Sequence, residues 1–218
     1  MNYKKIYNQD YFSGKDSFFY SLGYGRSFQN VYFQNIFNPL KKYLRDIKKG
    51  KVLDIGCAYG IMLKKFPTTF EKFGIDISKH AIDEAKKRMP EATFKVAGAE
   101  DPFPFPKSSF DVIISNDVLE HLENPRATLE HMHAALKRHG ILYVNTPNFN
   151  WLRKNFFAYA DKREHHISLF PHRKLEKLLE DVGFEVIDHW TYTSIPFFFF
   201  LAFRSNLGHE SAFICRKK

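Results

Sequence analysis

The chain has only two cysteines, Cys57 and Cys215, in 218 residues. One falls in a glycine turn and the other near the C-terminal end, so no disulfide framework is expected and both read as small buried apolar residues. Long apolar runs are also missing. The longest, Ile195 to Phe203, is nine residues with Pro196 inside it, against the roughly 20 a bilayer-spanning helix takes. This leaves peripheral membrane contact as the only kind open. The opening residues Met1 to Lys5 lead into polar and aromatic sequence, not into an apolar signal core, which points to the cytoplasm. No internal repeat or low-complexity linker interrupts the chain. Its length suits a single domain, residues 1–218, around one sizeable core. Acids are in the minority, 24 against 33 Lys and Arg, for a net charge of +9.

That excess is concentrated. Residues 1–51 hold ten Lys/Arg against three Asp, leaving +2 for the other 167. Lys41, Lys42, Arg45, Lys48, Lys49 and Lys51 crowd the end of one expected helix, where cations meet a favourable dipole at roughly a few tenths of a kcal/mol each. A solvated helix end accounts for them better than nucleic acid does, because no reading motif accompanies them.

A dinucleotide fingerprint, G-x-G-x-x-G, is absent as well. What stands in its place is Lys51 to Gly60, a short apolar strand (Val52, Leu53, Ile55) that opens into Gly56-Cys57-Ala58-Tyr59-Gly60. Small residues there let a nucleotide-sized ligand approach the backbone at a strand tip. Asp54 sits just before the turn, where it would repel a pyrophosphate and hold a cationic amino group. A second apolar strand ends in Asp76, 22 positions after Asp54, the place of an acid that accepts from a ribose diol. A third ends at Ala97 to Asp101. A fourth, at about 110–115, runs into Asn116-Asp117-Val118-Leu119-Glu120-His121-Leu122.

This ordered set resembles the class I S-adenosyl-L-methionine-dependent methyltransferases. Residues 141–184 further resemble the ubiquinone-biosynthesis O-methyltransferases. The resemblance implies a doubly wound, seven-stranded Rossmann-like α/β sheet of order 3-2-1-4-5-7-6, its last strand antiparallel, under an N-terminal helical cap at 1–50. It implies S-adenosyl-L-methionine as cofactor. The donor's site then maps onto Asp54, Gly56, Cys57, Ala58, Tyr59, Gly60, Asp76, Ile77, Ala99, Glu100 and Asn116. Ala58 replaces the middle glycine of the family's turn. Tyr11 and Arg26 of the cap are expected to close over the ligand, Arg26 on its carboxylate.

Local signals place the remaining elements. Ser78 caps a helix that carries Ala81, Ile82 and Ala85 on one face, and Asn124-Pro125 opens another with Leu129, Met132 and Leu136 inward. Gly183 stops a third, after Leu175 and Leu179. Asn38-Pro39 predicts a break between two short helices. Phe184 onward predicts a sixth strand and His209 to Cys215 the last. The aromatic-rich cap and the stretch Phe197 to Phe200 plus Phe203 are both candidates to line an apolar pocket.

Methyl transfer from a sulfonium needs alignment and dryness more than a reactive residue, so catalysis leaves a faint trace. His165 and His166 are the first candidates for a base near the acceptor, with His121 next. Asp117, Glu120, His121 and Glu123 are oxygen and nitrogen donors that a divalent ion would accept, yet an acidic solvated turn before a helix explains them better, and no metal is assigned. The expected acceptor is a small molecule with an apolar or aromatic body, methylated on oxygen. An RNA or protein methyltransferase is the alternative, and so is a non-catalytic subunit that only binds the donor. The turn after the fourth strand lacks the Pro-Pro-aromatic that adenine-methylating enzymes carry there.

Overall fold

The computed structural model describes residues 6–15, 27–195, 198–205 and 207–218. Among the described residues, helices α1 (Gln9–Ser13) and α2 (Ser27–Leu44) precede strand β1 (Gly50–Ile55). Then follow β2 (Phe70–Asp76), α3 (Lys79–Arg88), β3 (Thr93–Val96), β4 (Phe110–Asn116), α4 (Pro125–Ala135) and β5 (Leu136–Pro147). Two short helices, α5 (Trp151–Phe156) and α6 (Ala158–Arg163), lead to α7 (His172–Val182), β6 (Phe184–Ile195), β7 (Phe198–Arg204) and β8 (Glu210–Lys217).

The strands form one sheet in the order β3-β2-β1-β4-β5-β8-β6-β7. The five strands from β3 to β5 in this order pair in parallel, Leu53 opposite Phe73 and Ile113, while β8 runs antiparallel between β5 and β6, with Tyr143 opposite Ile214. The expected order is therefore present, with one addition. The Phe198–Arg204 stretch is an eighth strand, hydrogen-bonded to β6 at the sheet's edge. Phe197, named with that stretch above, lies outside the described residues.

Alternation along the strands explains the two layers. Val52, Val112 and Ile114 face a core built with Phe33, Ile36, Phe37 and Leu40 of α2 and with Ala81, Ile82 and Ala85 of α3. Leu53, Ile55 and Ile113 face the other way, against Leu129 and Met132 of α4 and Leu175 and Leu179 of α7. Parallel strands covered on both faces read as continuous apolar runs, and β1 is buried at all but one position.

Several caps fall where the sequence placed them. The Ser78 side chain accepts from Ala81 N, the Asn124 side chain accepts from Ala127 N, and Gly183 adopts the left-handed conformation. Two expectations fail. Helix α2 runs unbroken through Pro39: it buries Phe33, Ile36, Phe37, Leu40 and Leu44, and that burial outweighs the about 3 kcal/mol an internal proline costs. Leu136 starts β5 and does not continue α4. Cys57 and Cys215 are buried free thiols. Among the described residues no helix is long and apolar enough to cross a membrane.

Candidate active site

The turn after β1 is built by backbone constraints that only small residues satisfy. Gly56 has φ +69°, and a Cβ there would stand 2.5 Å from Val118 Cγ2. Gly56 N and Cys57 N both donate to the Ile75 carbonyl, at 2.9 and 3.0 Å, which pins the turn to β2. Ala58 sits at φ +44°, a left-handed conformation that costs a non-glycine residue about 1–2 kcal/mol. Its N–H donates to Asp76 Oδ2 at 2.9 Å, and Ser78 N donates to Oδ1 at 2.8 Å. The Asp76 carboxylate thus ties the strained turn to the start of α3.

Both strand-tip acids are buried, Asp54 at 3% exposure and Asp76 at 8%. Burial pushes the Asp76 carboxyl up to about 6, opposed by its two N–H donors. Burial, with the Asp76 charge beside it, raises Asp54 well above the ordinary carboxylate range. These are acids that a cationic, hydroxyl-bearing ligand would relieve.

They open into a cleft of about 250 Å³. Its floor is Asp54, Gly56, Cys57, Ala58, Asp76 and Ile77, and its sides are Ala97–Asp101 and Asn116–Val118. Tyr7, Tyr11, Phe12 and Phe33 cover it, and His121 stands at one end. Five carboxylates line the cleft (Asp54, Asp76, Glu100, Asp101 and Asp117), and among the described residues no Lys or Arg does. That donor set suits ammonium, sulfonium and diol groups and is wrong for phosphate.

Ten of the sequence-designated binding residues line this one cleft: Asp54, Gly56, Cys57, Ala58, Asp76, Ile77, Ala99, Glu100, Asn116 and Tyr11. Tyr59 and Gly60 do not. Tyr59 stacks on Phe12 at 5.1 Å and its hydroxyl meets His80 Nε2 at 3.1 Å, so it buttresses the cover from behind. Gly60 lies 3.2 Å, by its absent Cβ, from the Phe94 ring. Arg26 lies outside the described residues. The Tyr11 hydroxyl donates to Glu164 Oε2 at 3.0 Å, which fastens the cap to the segment after β5.

Tyr7 and Phe12 belong to the aromatic-rich cap that the sequence offered as pocket lining. Sequence reasoning passed over Phe33 and Asp117 as cleft residues. Asp117 has φ +53°. It accepts from Tyr32 Oη, Asn116 Nδ2 and Asn145 Nδ2, and its N–H donates to the Asn145 carbonyl. Burial raises its carboxyl to about 6, with His166 opposing.

The histidines are placed in the reverse of the expected order. His121 lines the cleft, its ring 5.5 Å from Tyr7 and 4.8 Å from His166. Its Nδ1 is buried and has no partner among the described residues, and burial, with His166 adding to it, pushes the ring down to about 3. His165 and His166 line no part of the cleft. His166 Nδ1 is 2.8 Å from Asp161, a carboxylate held in turn by a buried guanidinium. Arg153, 1% exposed, donates from Nε to Asp161 at 3.0 Å and from Nη1 to the His209 carbonyl at 3.1 Å and Glu210 Oε1 at 3.3 Å. Burial raises Glu210 to about 8 against the pull of Arg153.

Nor is the turn after β4 a solvated acidic one. Glu120 is fully buried, accepts from Thr146 Oγ1 at 2.9 Å, and its carbonyl takes the Ile167 and Ser168 N–H groups. Glu120, His121 and His166 each bring one ligand atom to within 4.8 Å of the others, the group among the described residues best placed to hold an ion.

The family described as Methyltransferase domain matches residues 28–189. The chain belongs to this methyltransferase family. An uncharacterized protein of Methanocaldococcus jannaschii is 31% identical to this methyltransferase over 146 residues, 66% of this chain and 68% of that one. The ubiquinone biosynthesis O-methyltransferase of Azoarcus sp. is 30% identical over 114 residues, 50% of this chain and 47% of that one. The methyltransferase thus spans about half the length of that relative. A solved SAM-dependent methyltransferase of Thermotoga maritima, described as a possible histamine N-methyltransferase, superposes with a TM-score of 0.69 at 18% identity, over 86% of this chain and 92% of that one. It shares the fold. The methyltransferase's cofactor is S-adenosyl-L-methionine, and the carboxylate-rich cleft, lined by no Lys or Arg among the described residues, fits that donor's charge.

Proposed function

We propose that the methyltransferase moves the donor's methyl group to an oxygen of a small acceptor with an apolar or aromatic body. The observation that carries this reading is the cover of Tyr7, Tyr11, Phe12 and Phe33 over the same cleft that Asp54 and Asp76 floor. The O-methyltransferase relatives support the choice of oxygen.

In this reading Asp54 holds the donor's ammonium, Asp76 accepts from its ribose diol, Ile77 and Ala99 flank its adenine, and Asn116 borders its methionine part. When bound, the donor supplies a methyl carbon on a positively charged sulfur. The chain's own work is placement and drying. Gly56 and Ala58 allow close approach to the backbone, and the four aromatic cover residues shut out water. His121, held neutral by its lowered pKa, offers Nδ1 to the acceptor's hydroxyl and takes its proton late in the transfer, as the oxygen–methyl bond forms, the carbon–sulfur bond breaks and S-adenosylhomocysteine is left. His166 positions His121 through ring contact, and Arg153 and Asp161 fix His166.

Two results follow. Donor affinity should fall as pH drops through about 6, because protonating Asp76 removes the charged acceptor of the diol hydrogen bonds. The limiting slope is about tenfold in Kd per pH unit. Calorimetry with S-adenosylhomocysteine from pH 8 to pH 5 reads this directly, and a flat Kd would contradict it. His121→Ala should lower kcat by about 10²–10⁴ with little change in donor affinity, while His165→Ala should leave kcat near its starting value. The acceptor class is tested by following S-adenosylhomocysteine release with phenols, catechols, alkyl amines and tRNA side by side. Turnover of the phenolic set supports the reading, and turnover confined to amines or RNA overturns it.

A further inference from the structure

We propose that helices α5 and α6, with the loops beside them, dock on the headgroup layer of an anionic lipid bilayer. The inference rests on the outer surface of the fold and does not depend on the acceptor. Trp151, Phe156 and Tyr159 are 72%, 69% and 70% exposed, unusual for three large aromatics within nine residues. The Trp151 and Phe156 rings stand edge to face, 6.1 Å apart. Leu207, also exposed, is held beside them, because Asn150 Nδ2 donates to its carbonyl at 3.2 Å.

Charge in this segment is sorted by sign. Its two acids turn inward: Asp161 pairs with buried Arg153, and Glu164 accepts from Tyr11. Lys154, Lys162 and Arg163 stay outside, and among the described residues none of them pairs with an acid. The solvent-facing charge of α5 and α6 is therefore cationic throughout, interleaved with amphipathic rings. A protein partner's interface core would disfavour the lysines. A bilayer surface takes both kinds of side chain, rings at the headgroup level and cations against anionic lipid. Both helices are six residues long, so the anchor is this set of side chains and not a long amphipathic helix.

The test uses the full chain with vesicles of phosphatidylcholine alone or mixed with phosphatidylglycerol. Trp190→Phe leaves Trp151 as the only tryptophan. Its emission should shift to the blue with the anionic vesicles, and protein should sediment with them to an extent that falls with added salt. Trp151→Ala with Phe156→Ala, and separately Lys154→Glu with Lys162→Glu, should each lower the partition coefficient at least about tenfold. Both variants should retain the thermal midpoint and the S-adenosylhomocysteine affinity of the parent. Equal binding to both vesicle types, no binding, or unchanged partition of either variant would overturn the proposal. So would an emission shift reproduced by inorganic phosphate alone, or a dimer that Trp151→Ala dissociates.

Discussion

Asp76→Ala is expected to weaken S-adenosylhomocysteine binding by about a hundredfold or more, on the order of 3 kcal/mol. The loss has two parts. The ligand's diol loses a charged acceptor, and the protein loses the carboxylate that takes the N–H groups of Ala58 and Ser78. Ala58, at φ +44°, is the residue least able to keep its conformation without that bond. Asp76→Asn separates the two, because one amide oxygen keeps one N–H partner while the charge is gone. The asparagine variant should bind better than the alanine variant and still well below the parent. Calorimetry on the three proteins decides it, and equal Kd values for parent and alanine variant would refute the role given to Asp76.

Arg153→Ala is expected to be the most destabilising single change, at about 3–5 kcal/mol. The guanidinium is buried and bonds to Asp161, Glu210 and the His209 carbonyl at once. Removing it leaves two carboxylates buried with no cation between them. Glu210, already raised to about 8 beside Arg153, should then stay protonated. At roughly 2–4 °C per kcal/mol for a chain of this size, the midpoint should fall by about 6–20 °C. Because Asp161 orients His166 against His121, kcat should fall as well. A midpoint within about 2 °C of the parent would show that the network contributes little.

How much of this was legible in the sequence depends on the range of the forces involved. The β1 turn, Asp76 and the helix caps at Ser78, Asn124 and Gly183 are set by neighbours within a few residues, so residue type and spacing reveal them. The unbroken helix through Pro39 was hidden because its cause is tertiary, the burial of Phe33, Ile36, Phe37, Leu40 and Leu44 outweighing a local defect. Strand β7 was hidden because a run of phenylalanines carries no period from which to read a strand. The order of the histidines was out of reach for a similar reason. Whether His121 or His166 faces the cleft turns on Arg153, whose partners Glu210 and the His209 carbonyl come from β8 and the residue before it, more than 50 residues away. Tyr59 misled by adjacency. It sits in the glycine turn, but its ring packs against Phe12 and supports the cover of the cleft from outside.

The central claim is that the donor occupies the cleft between Asp54, Asp76 and the aromatic cover. A crystal structure of the full chain with S-adenosylhomocysteine tests it most directly. The account predicts both ribose hydroxyls on the Asp76 carboxylate, the adenine between Ile77 and Ala99, and the ammonium toward Asp54. A ligand whose ribose lies away from Asp76, or that binds outside this cleft, would contradict it.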